Sequence, residues 1–324
     1  VTGTRKTSRT LTPDIRMALP VVKERFALTA GFQIYRSSEY TTLQPADFGV
    51  VWEDTVRGGT QFRREGNQFR VPLGAAWRIL PGISLSGAFN LENGSVREEL
   101  TNFYDWPNLG TDAFGDLIPV YLIDIKESKD EYRGQSYTLG FLLDPFSWLQ
   151  LGGSWTPAYD LDVTRTVYHL GVSERFDDAF TMTMPDEYKA GIQLGLGGRW
   201  RVGGDASYMN YKELEGRPDW LDESEEEIGF SVGIERKPAQ VRRGGANNLP
   251  LRAGYSRKQW GYAINGEPVI EETFSLGTGF PFRGNLGQLD LALSFGMIGD
   301  MATNQMETSY WRFTLSVVGL ERWW

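Results

Sequence analysis

The side chains that could perform catalysis are few, because the sequence contains one histidine and no cysteine. Asp160 and Asp162 precede that histidine, His169, and an Asp–His pair can act as a general base. No second carboxylate stands at a spacing that completes such a site. We therefore predict that the chain is not an enzyme and that it holds no cofactor and no metal ion.

Acidic residues dominate the charge of the chain. Residues 219–227 contain four glutamates and two aspartates, which could bind a divalent cation or form a solvated loop, and we prefer the solvated loop. The formal net charge of −9 argues against nucleic acid as a partner, because neutralising phosphates requires a basic face.

Apolar residues alternate with small or polar residues from residue 14 to the end of the chain. In the last such segment Trp311, Phe313 and Leu315 share one face, and Arg312, Thr314 and Ser316 share the other. Thirteen segments show this pattern, and the first covers residues 15–21. No run approaches the roughly 18 to 20 apolar residues of a membrane helix. Strands with one apolar and one small or polar face indicate a transmembrane barrel.

The fold class that we predict is all-β, an antiparallel up-and-down transmembrane barrel with 13 strands in this chain. Short connections contain Lys23-Glu24, Pro81-Gly82 and Gly197-Gly198. Long ones cover roughly residues 37–66, 95–133, 157–185 and 212–226. Short turns on one rim and long loops on the other are typical of bacterial outer-membrane proteins. A soluble sandwich would also alternate, but with Lys, Glu and Thr on its exposed face.

The C-terminal residues predict the orientation of the barrel. The chain closes on Trp323 and Trp324, and we expect this aromatic end to face the periplasm of a bacterial outer membrane. Residues 1–324 then form one domain, with 1–12 an outer-loop remnant. Closed bacterial barrels have even strand numbers, so we expect 14 strands in the complete barrel. The first would be missing from this chain or supplied separately.

Two groups of residues are candidates for ligand binding. Five arginines fall on the predicted lumen face, where each could hold a ligand carboxylate or pair with Asp205, Asp290 or Glu235: Arg70, Arg78, Arg201, Arg252 and Arg312. The second group lies in the predicted outer loop 95–133, which could receive an apolar ligand or pack on itself: Phe103, Tyr104, Trp106, Phe114, Leu117, Ile118 and Tyr121.

The C-terminal third resembles the FadL-like long-chain fatty-acid transporter family. The resemblance rests on residues 274–282, 289–296, 310–316 and 321–324, with similar turns at 19–23 and 151–157. It implies 14 strands, and it implies that the third and fourth outer loops form a hydrophobic capture groove. That family also carries an N-terminal hatch, and no segment of this chain corresponds to it.

These patterns predict a passive outer-membrane transporter for hydrophobic or amphipathic small molecules, such as long-chain fatty acids. Outer-membrane lipid and the apolar ligand are then its partners. The alternative is a structural or partner-binding barrel that associates with another envelope protein in an envelope or secretion assembly.

Overall fold

The computed structural model describes residues 14–51, 54–111, 117–169, 176–214, 224–238, 249–264, 266–282, 287–304 and 307–319. Its description of side chains leaves out residues 38–57, 103–124, 176 and 213. Within the described residues, the secondary structure consists of fifteen strands and one short 3₁₀ turn at Tyr211–Glu213. The strands are β1 Ile15–Val22, β2 Phe26–Val51, β3 Asp54–Leu80, β4 Ile83–Thr111, β5 Leu117–Phe146, β6 Leu149–Thr156, β7 Tyr159–His169, β8 Phe176–Met184, β9 Glu187–Gly195, β10 Trp200–Asn210, β11 Glu226–Arg236, β12 Leu251–Ile264, β13 Glu267–Pro281, β14 Gly287–Ile298 and β15 Thr308–Gly319.

Thirteen of these strands follow one another in a single sheet, β1 to β6 and then β9 to β15, and each is antiparallel to its neighbours. The sheet curves around an interior. The evidence is a hydrogen bond between distant strands, which the Tyr35 hydroxyl of β2 donates to Glu187 of β9 at 3.2 Å. This topology confirms the predicted all-β, antiparallel, up-and-down fold. The described residues include no helix that is long and apolar enough to cross a membrane.

The two ends of the sheet run in the same direction. β1 pairs with β2, β15 pairs with β14, and among the described residues neither end strand has a second neighbour. One additional strand, antiparallel to both, would close the sheet at 14 strands. The predicted fourteenth strand therefore remains a prediction.

The outward face of the sheet is apolar and exposed, as a surface in contact with lipid must be. Large apolar side chains point away from the lumen on every strand of the path, among them Trp77, Leu139, Ile192, Phe230, Leu276 and Phe313. The strand register aligns Trp155, Tyr188 and Tyr208 in one row across β6, β9 and β10. Such rows of aromatic residues mark the boundary between hydrocarbon and water in barrels of this kind.

Beyond that row, the structure corrects the predicted long loops. Most of residues 37–66, 95–133 and 157–185 form paired strands, in the order β2-β3-β4-β5-β7-β8. We call this extension of the sheet beyond the aromatic row the wall. Charged pairs support it, for example Arg97 with Glu127 at 2.5 Å. Where their side chains are described, the outer face of these strands is polar instead of apolar, so the apolar outward stripe that reveals a membrane strand is absent and the sequence reads as a loop.

The wall and the barrel meet at two prolines. β6 continues into β7 through Pro157, and β8 continues into β9 through Pro185, so both strands of the hairpin break at the same level. Proline removes a backbone donor and interrupts strand pairing. Asp186 stabilises this junction, because its carboxylate accepts hydrogen bonds from the Trp155 indole at 2.8 Å and from the Ala158 amide at 3.3 Å.

Candidate functional site: a constriction in the lumen

A β-bulge in β2 sets the geometry of the lumen near the wall. Ile34 pairs with Phe69 and Arg36 pairs with Gln68, so β2 has one residue more than β3 at this point. An extra residue reverses which side chains of a strand face inward. As a result, Tyr35 and Arg36 both enter the lumen although they are consecutive.

Arg70 lies at the centre of a buried ion-pair network. Its Nε donates to Glu92 Oε1 at 2.6 Å, and its Nη1 lies 3.6 Å from Glu187 Oε2 on the opposite wall. Its guanidinium also stacks 3.8 Å from the centre of the Tyr35 ring. Both Arg70 and Glu92 are about 95% buried, with 5% and 4% of their surface exposed. Strands β2, β3, β4 and β9 therefore meet across the lumen.

Further hydrogen bonds hold Glu92 in place. Ser136 Oγ donates to Glu92 Oε1 at 2.8 Å, and Asn90 donates to Ser136 at 3.0 Å. Lys189 pairs with Glu187 at 2.5 Å. Buried charges need such partners, because an uncompensated charge inside a protein is costly.

Arg36 lies beside this network in a different environment. Its Nη1 and Nη2 point at the sulfur atoms of Met184 and Met209, at 3.7 and 3.4 Å. The guanidinium also lies 4.8 Å from the ring centre of Tyr35 and 5.2 Å from that of Tyr211. Arg36 thus links β2 to β8 and β10, on the far side of the lumen.

An apolar cluster surrounds these charges. It joins the inner face of the wall to β10 and the turn after it, and contains Val96, Tyr132, Tyr159, Leu161, Val163, Met182, Met184, Met209 and Leu214, with Phe180 and Tyr211 packed against it. Met184 is fully buried and Val163 is 1% exposed. We call this cluster, with Tyr35, Arg36, Arg70, Glu92 and Glu187, the constriction.

Polar pairs continue above the constriction on the inner face of the wall. Arg165 donates to both oxygens of Asp130, at 2.7 and 2.6 Å. Arg64 lies 3.1 Å from Glu98, and burial raises the pKa of the Glu98 carboxyl although the Arg64 charge opposes that rise. The inner face of the wall therefore carries partly buried polar pairs next to the apolar cluster.

Below the constriction, the lumen is lined mostly by small residues. A cavity of about 250 Å³ lies against β12 to β15, where Gly254, Ser275, Gly277, Ala292 and Thr314 contribute to its lining. Arg252 stands at its edge and pairs with Asp290 at 2.7 Å and with Glu235 at 3.0 Å. Small side chains leave this part of the interior open.

The structure separates the five predicted lumen arginines. Arg70 is in the constriction, Arg252 is in the lower lumen, and Arg201 approaches Glu235 at 4.0 Å. Arg312 stacks on the Tyr310 ring at 5.0 Å, and Arg78 is exposed near the short-turn rim, where its amide donates to Arg25. The structure does not bring these five together in one site.

The predicted aromatic ligand site lies mainly outside the described side chains. The backbone of Phe103, Tyr104 and Trp106 belongs to β4, and that of Leu117, Ile118 and Tyr121 belongs to β5. Their side chains, and Phe114 as a whole, are outside the described residues. The site stays a prediction, now placed on a hairpin instead of a loop.

The sequence did not indicate Tyr35, Arg36, Met184 or Met209 as site residues. Strict alternation places Arg36 on the lipid face, and only the bulge turns it inward. Met184 falls in the predicted loop 157–185, and neither methionine has a charge that would mark a site.

The C-terminal half of the chain identifies its family. A sequence profile described as BamG matches residues 149–324, which is more than half of the chain. The chain belongs to the BamG family. Curated proteins contain no match to this BamG-family sequence.

Solved structures that resemble this BamG-family chain include one hydrocarbon channel and two toluene transporters. The CymD monoaromatic hydrocarbon channel has a TM-score of 0.55 at 14% identity, covering 95% of this chain and 82% of that one. The Pseudomonas putida toluene transporter TodX has a TM-score of 0.55 at 14% identity, with 94% and 81% covered. The Ralstonia pickettii toluene transporter TbuX has a TM-score of 0.58 at 14% identity, with 95% and 81% covered. Similarity at this level shows a shared fold, and it confirms the FadL-like barrel predicted from the sequence.

Proposed function

We propose that this BamG-family barrel lies in the bacterial outer membrane, with its C-terminus on the periplasmic side. There it allows hydrophobic or amphipathic small molecules to cross passively. The observation that supports this proposal best is the contrast between the two faces of the sheet. The outward side chains are large, apolar and exposed, whereas the lower lumen is lined by small residues around a cavity of about 250 Å³. The fold shared with the toluene transporters TodX and TbuX is consistent with it.

The route that we propose passes from the hairpin of β4 and β5 through the constriction to the lower lumen. Phe103, Tyr104, Trp106, Phe114, Leu117, Ile118 and Tyr121 would collect an apolar ligand outside, as the resemblance implies. Long-chain fatty acids are one candidate ligand, and aromatic hydrocarbons of the kind named for TodX are another. The constriction would then decide what passes, because it joins opposite walls of the lumen.

A reversible tether across the constriction tests this route. The chain has no native cysteine, so Arg36→Cys and Met209→Cys can be joined by a bis-maleimide containing a cleavable disulfide. We expect the tethered protein in proteoliposomes to lose most uptake of radiolabelled dodecanoate or toluene. Reduction of the linker should restore the uptake, and each single cysteine variant serves as a control. Equal uptake in tethered and cleaved protein would exclude passage through the constriction.

A partner-binding role is the second candidate, and the free edges of the wall favour it. Among the described residues, β8 pairs only with β7, and the part of β2 after Arg36 pairs only with β3. Free strand edges can receive a strand from another protein. Isolation of the barrel from outer membranes in mild detergent should reveal a stable envelope partner if this role applies. A pair of prolines at positions 179 and 181 of β8 should then release that partner.

A further inference from the structure

The free edge of β8 begins where its neighbour in the barrel turns away. Within the barrel, β10 pairs with β9 as far as the pairing of Met209 with Glu187. Above that level β8 continues the line of β9, but the chain after β10 enters the turn Tyr211–Glu213 and buries Leu214 in the apolar cluster. Among the described residues, no strand therefore occupies the place beside β8 that a longer β10 would take.

β8 has none of the features that usually protect an edge strand. Proteins commonly block an exposed edge with proline, with lysine or with a bulge. β8 pairs with β7 in one regular register over its nine residues, without a bulge. Residues 179–184 contain no proline, no glycine and no charged residue. This edge can therefore add a further strand through main-chain hydrogen bonds.

The inner face of β8 is apolar. Met182 and Met184 are buried in the apolar cluster, and Phe180 packs against it. Side chains that share a face of neighbouring strands lie side by side, with opposite Cβ atoms about 4.5–5.5 Å apart. An added strand would therefore place every second side chain at the margin of the apolar cluster, where an apolar residue fits best.

The outer face of the hairpin formed by β7 and β8 is acidic. Asp160 is exposed and accepts a hydrogen bond from Thr183 at 2.7 Å. Asp162 is also exposed and accepts from Thr181 at 3.5 Å. Arg165, the arginine of these two strands, lies on the inner face of the wall. A lysine or arginine on an added strand would reach the two carboxylates across the short threonine side chains, and such pairs of opposite charge are stabilising.

The edge, the apolar inner face and the acidic outer face together specify what β8 can accept. We infer that β8 receives an extended segment of another envelope protein, in which apolar residues alternate with lysine or arginine. A second copy of this chain fits less well, because it would bring further carboxylates to the acidic face and like charges oppose pairing. The inference rests on the proposed partner-binding role and adds to it the chemistry of the partner strand.

Peptide binding to the purified full chain tests the charge preference. The protein is held in nanodiscs of zwitterionic lipid, and three fluorescent peptides as long as β8 alternate valine with lysine, serine or glutamate. We expect the lysine peptide to bind about tenfold or more tightly than the glutamate peptide, because the cross-strand charge pairs change from opposite to like. The serine peptide should lie between them. Equal affinities of the three peptides would overturn the inference.

Substitutions assign the preference to the acidic face. Asp160→Asn combined with Asp162→Asn should abolish the difference between the lysine and glutamate peptides and leave binding of the serine peptide unchanged. Asparagine keeps an acceptor oxygen for each threonine, so the hairpin should stay folded. Glu65→Gln, which removes a carboxylate from an exposed pair on β3, is the matched control and should retain the preference. A preference that survives in the double variant would contradict the inference.

Disulfide crosslinking locates the added strand. Ala179 of β8 and Thr164 of β7 lie directly opposite each other, and both are exposed. A lysine peptide with one lysine replaced by cysteine should crosslink to Ala179→Cys but not to Thr164→Cys, because a disulfide requires Cβ atoms about 3.5–4.5 Å apart and β7 lies one strand farther away. Labelling with a small maleimide checks that both cysteines are accessible. Equal crosslinking of the two variants would exclude pairing at the edge, and a disulfide-linked dimer of Ala179→Cys that the peptide does not prevent would assign the edge to a second copy.

Co-purification separates this inference from the partner-binding role. If the lysine peptide pairs with β8 but no envelope protein stays with the barrel in mild detergent, the partner-binding role fails and the strand-accepting edge stands. If an envelope protein stays bound to the wild type and equally to the Asp160→Asn, Asp162→Asn double variant, the role stands and this site is rejected.

Discussion

Two regions of the lumen use arginine–carboxylate pairs in different ways. In the constriction, the side chains of Arg70 and Glu92 are 6% and 5% exposed, and the contacts of Arg70 extend to the opposite wall. In the lower lumen, the side chains of Arg252 and Asp290 are 41% and 21% exposed and belong to the same part of the sheet. The first pair determines how closely opposite walls approach, whereas the second lines an open space.

This difference teaches that the residue types alone do not reveal the function of a lumen arginine. Water near Arg252 can replace a lost partner, so the pair contributes little to stability. Water cannot easily reach Arg70, so each member of its network depends on the others. Arg36 extends this contrast, because it is inside the constriction and has no carboxylate partner among the described residues.

The largest expected effect follows from breaking the buried pair. Glu92→Leu should lower the free energy of unfolding by about 3–5 kcal/mol, because it leaves the Arg70 charge buried with its closest partner removed. Asp290→Leu in the lower lumen should cost about 1 kcal/mol or less. Urea unfolding in lipid vesicles measures both values, and similar costs would remove the distinction between the two regions.

The outward and inward faces of β13 provide the next test. Leu276→Arg should cost about 2–4 kcal/mol, because a charge near the middle of the bilayer loses its hydration. Ser275→Arg, the adjacent position on the lumen face, should cost about 1 kcal/mol or less. The same unfolding assay applies, and a greater cost for the serine variant would reverse our assignment of the two faces.

Replacing glycine by alanine should destabilise two turns on the short-turn rim to different extents. Gly82 has φ of 81° and Gly197 has φ of 75°, so alanine is strained at both. At Gly82 the new Cβ would also lie 2.7 Å from the Asp144 carbonyl oxygen, whereas at Gly197 it would meet nothing within 4 Å. Gly82→Ala should therefore cost more than the roughly 1 kcal/mol expected for Gly197→Ala. Thermal unfolding of both variants tests this order.

The smallest effect concerns the junction between the barrel and the wall. Asp186→Ala removes the acceptor of the Trp155 indole, and should cost about 0.5–1.5 kcal/mol. Hydrogen exchange should increase in β7 and β8 and stay unchanged in β12 to β15. Uniform exchange across both regions would show that the junction does not anchor the hairpin.

The strands inside the membrane could be predicted because their two faces meet different solvents. Trp311, Phe313 and Leu315 alternate with Arg312, Thr314 and Ser316, and the structure places this segment in β15, antiparallel to β14. The wall could not be predicted in the same way. Arg97, Glu127 and Lys129 lie in paired strands surrounded by water, where alternation is no longer required.

The constriction shows a second limit of sequence reasoning. Arg70 was recognised as a lumen residue because β3 alternates regularly around it. Arg36 was not recognised as a lumen residue, because a single inserted residue in β2 turns its side chain from the outward to the inward face. No local pattern in residues 33–36 marks this bulge. The pairing of Arg70 with Glu187 depends on the curvature of the sheet, which joins residues 117 positions apart.

Our central claim is that successive side chains of each strand alternate between hydrocarbon and a polar lumen, and site-directed spin labelling of β13 tests it most directly. Because the chain has no cysteine, residues 273–280 can be replaced by cysteine one at a time and labelled in lipid vesicles. We predict that accessibility to oxygen is highest at Phe274, Leu276, Thr278 and Phe280, and that accessibility to a water-soluble nickel chelate is highest at the residues between them. If both reagents rise and fall together, or if neither shows a period of two, the claim is contradicted.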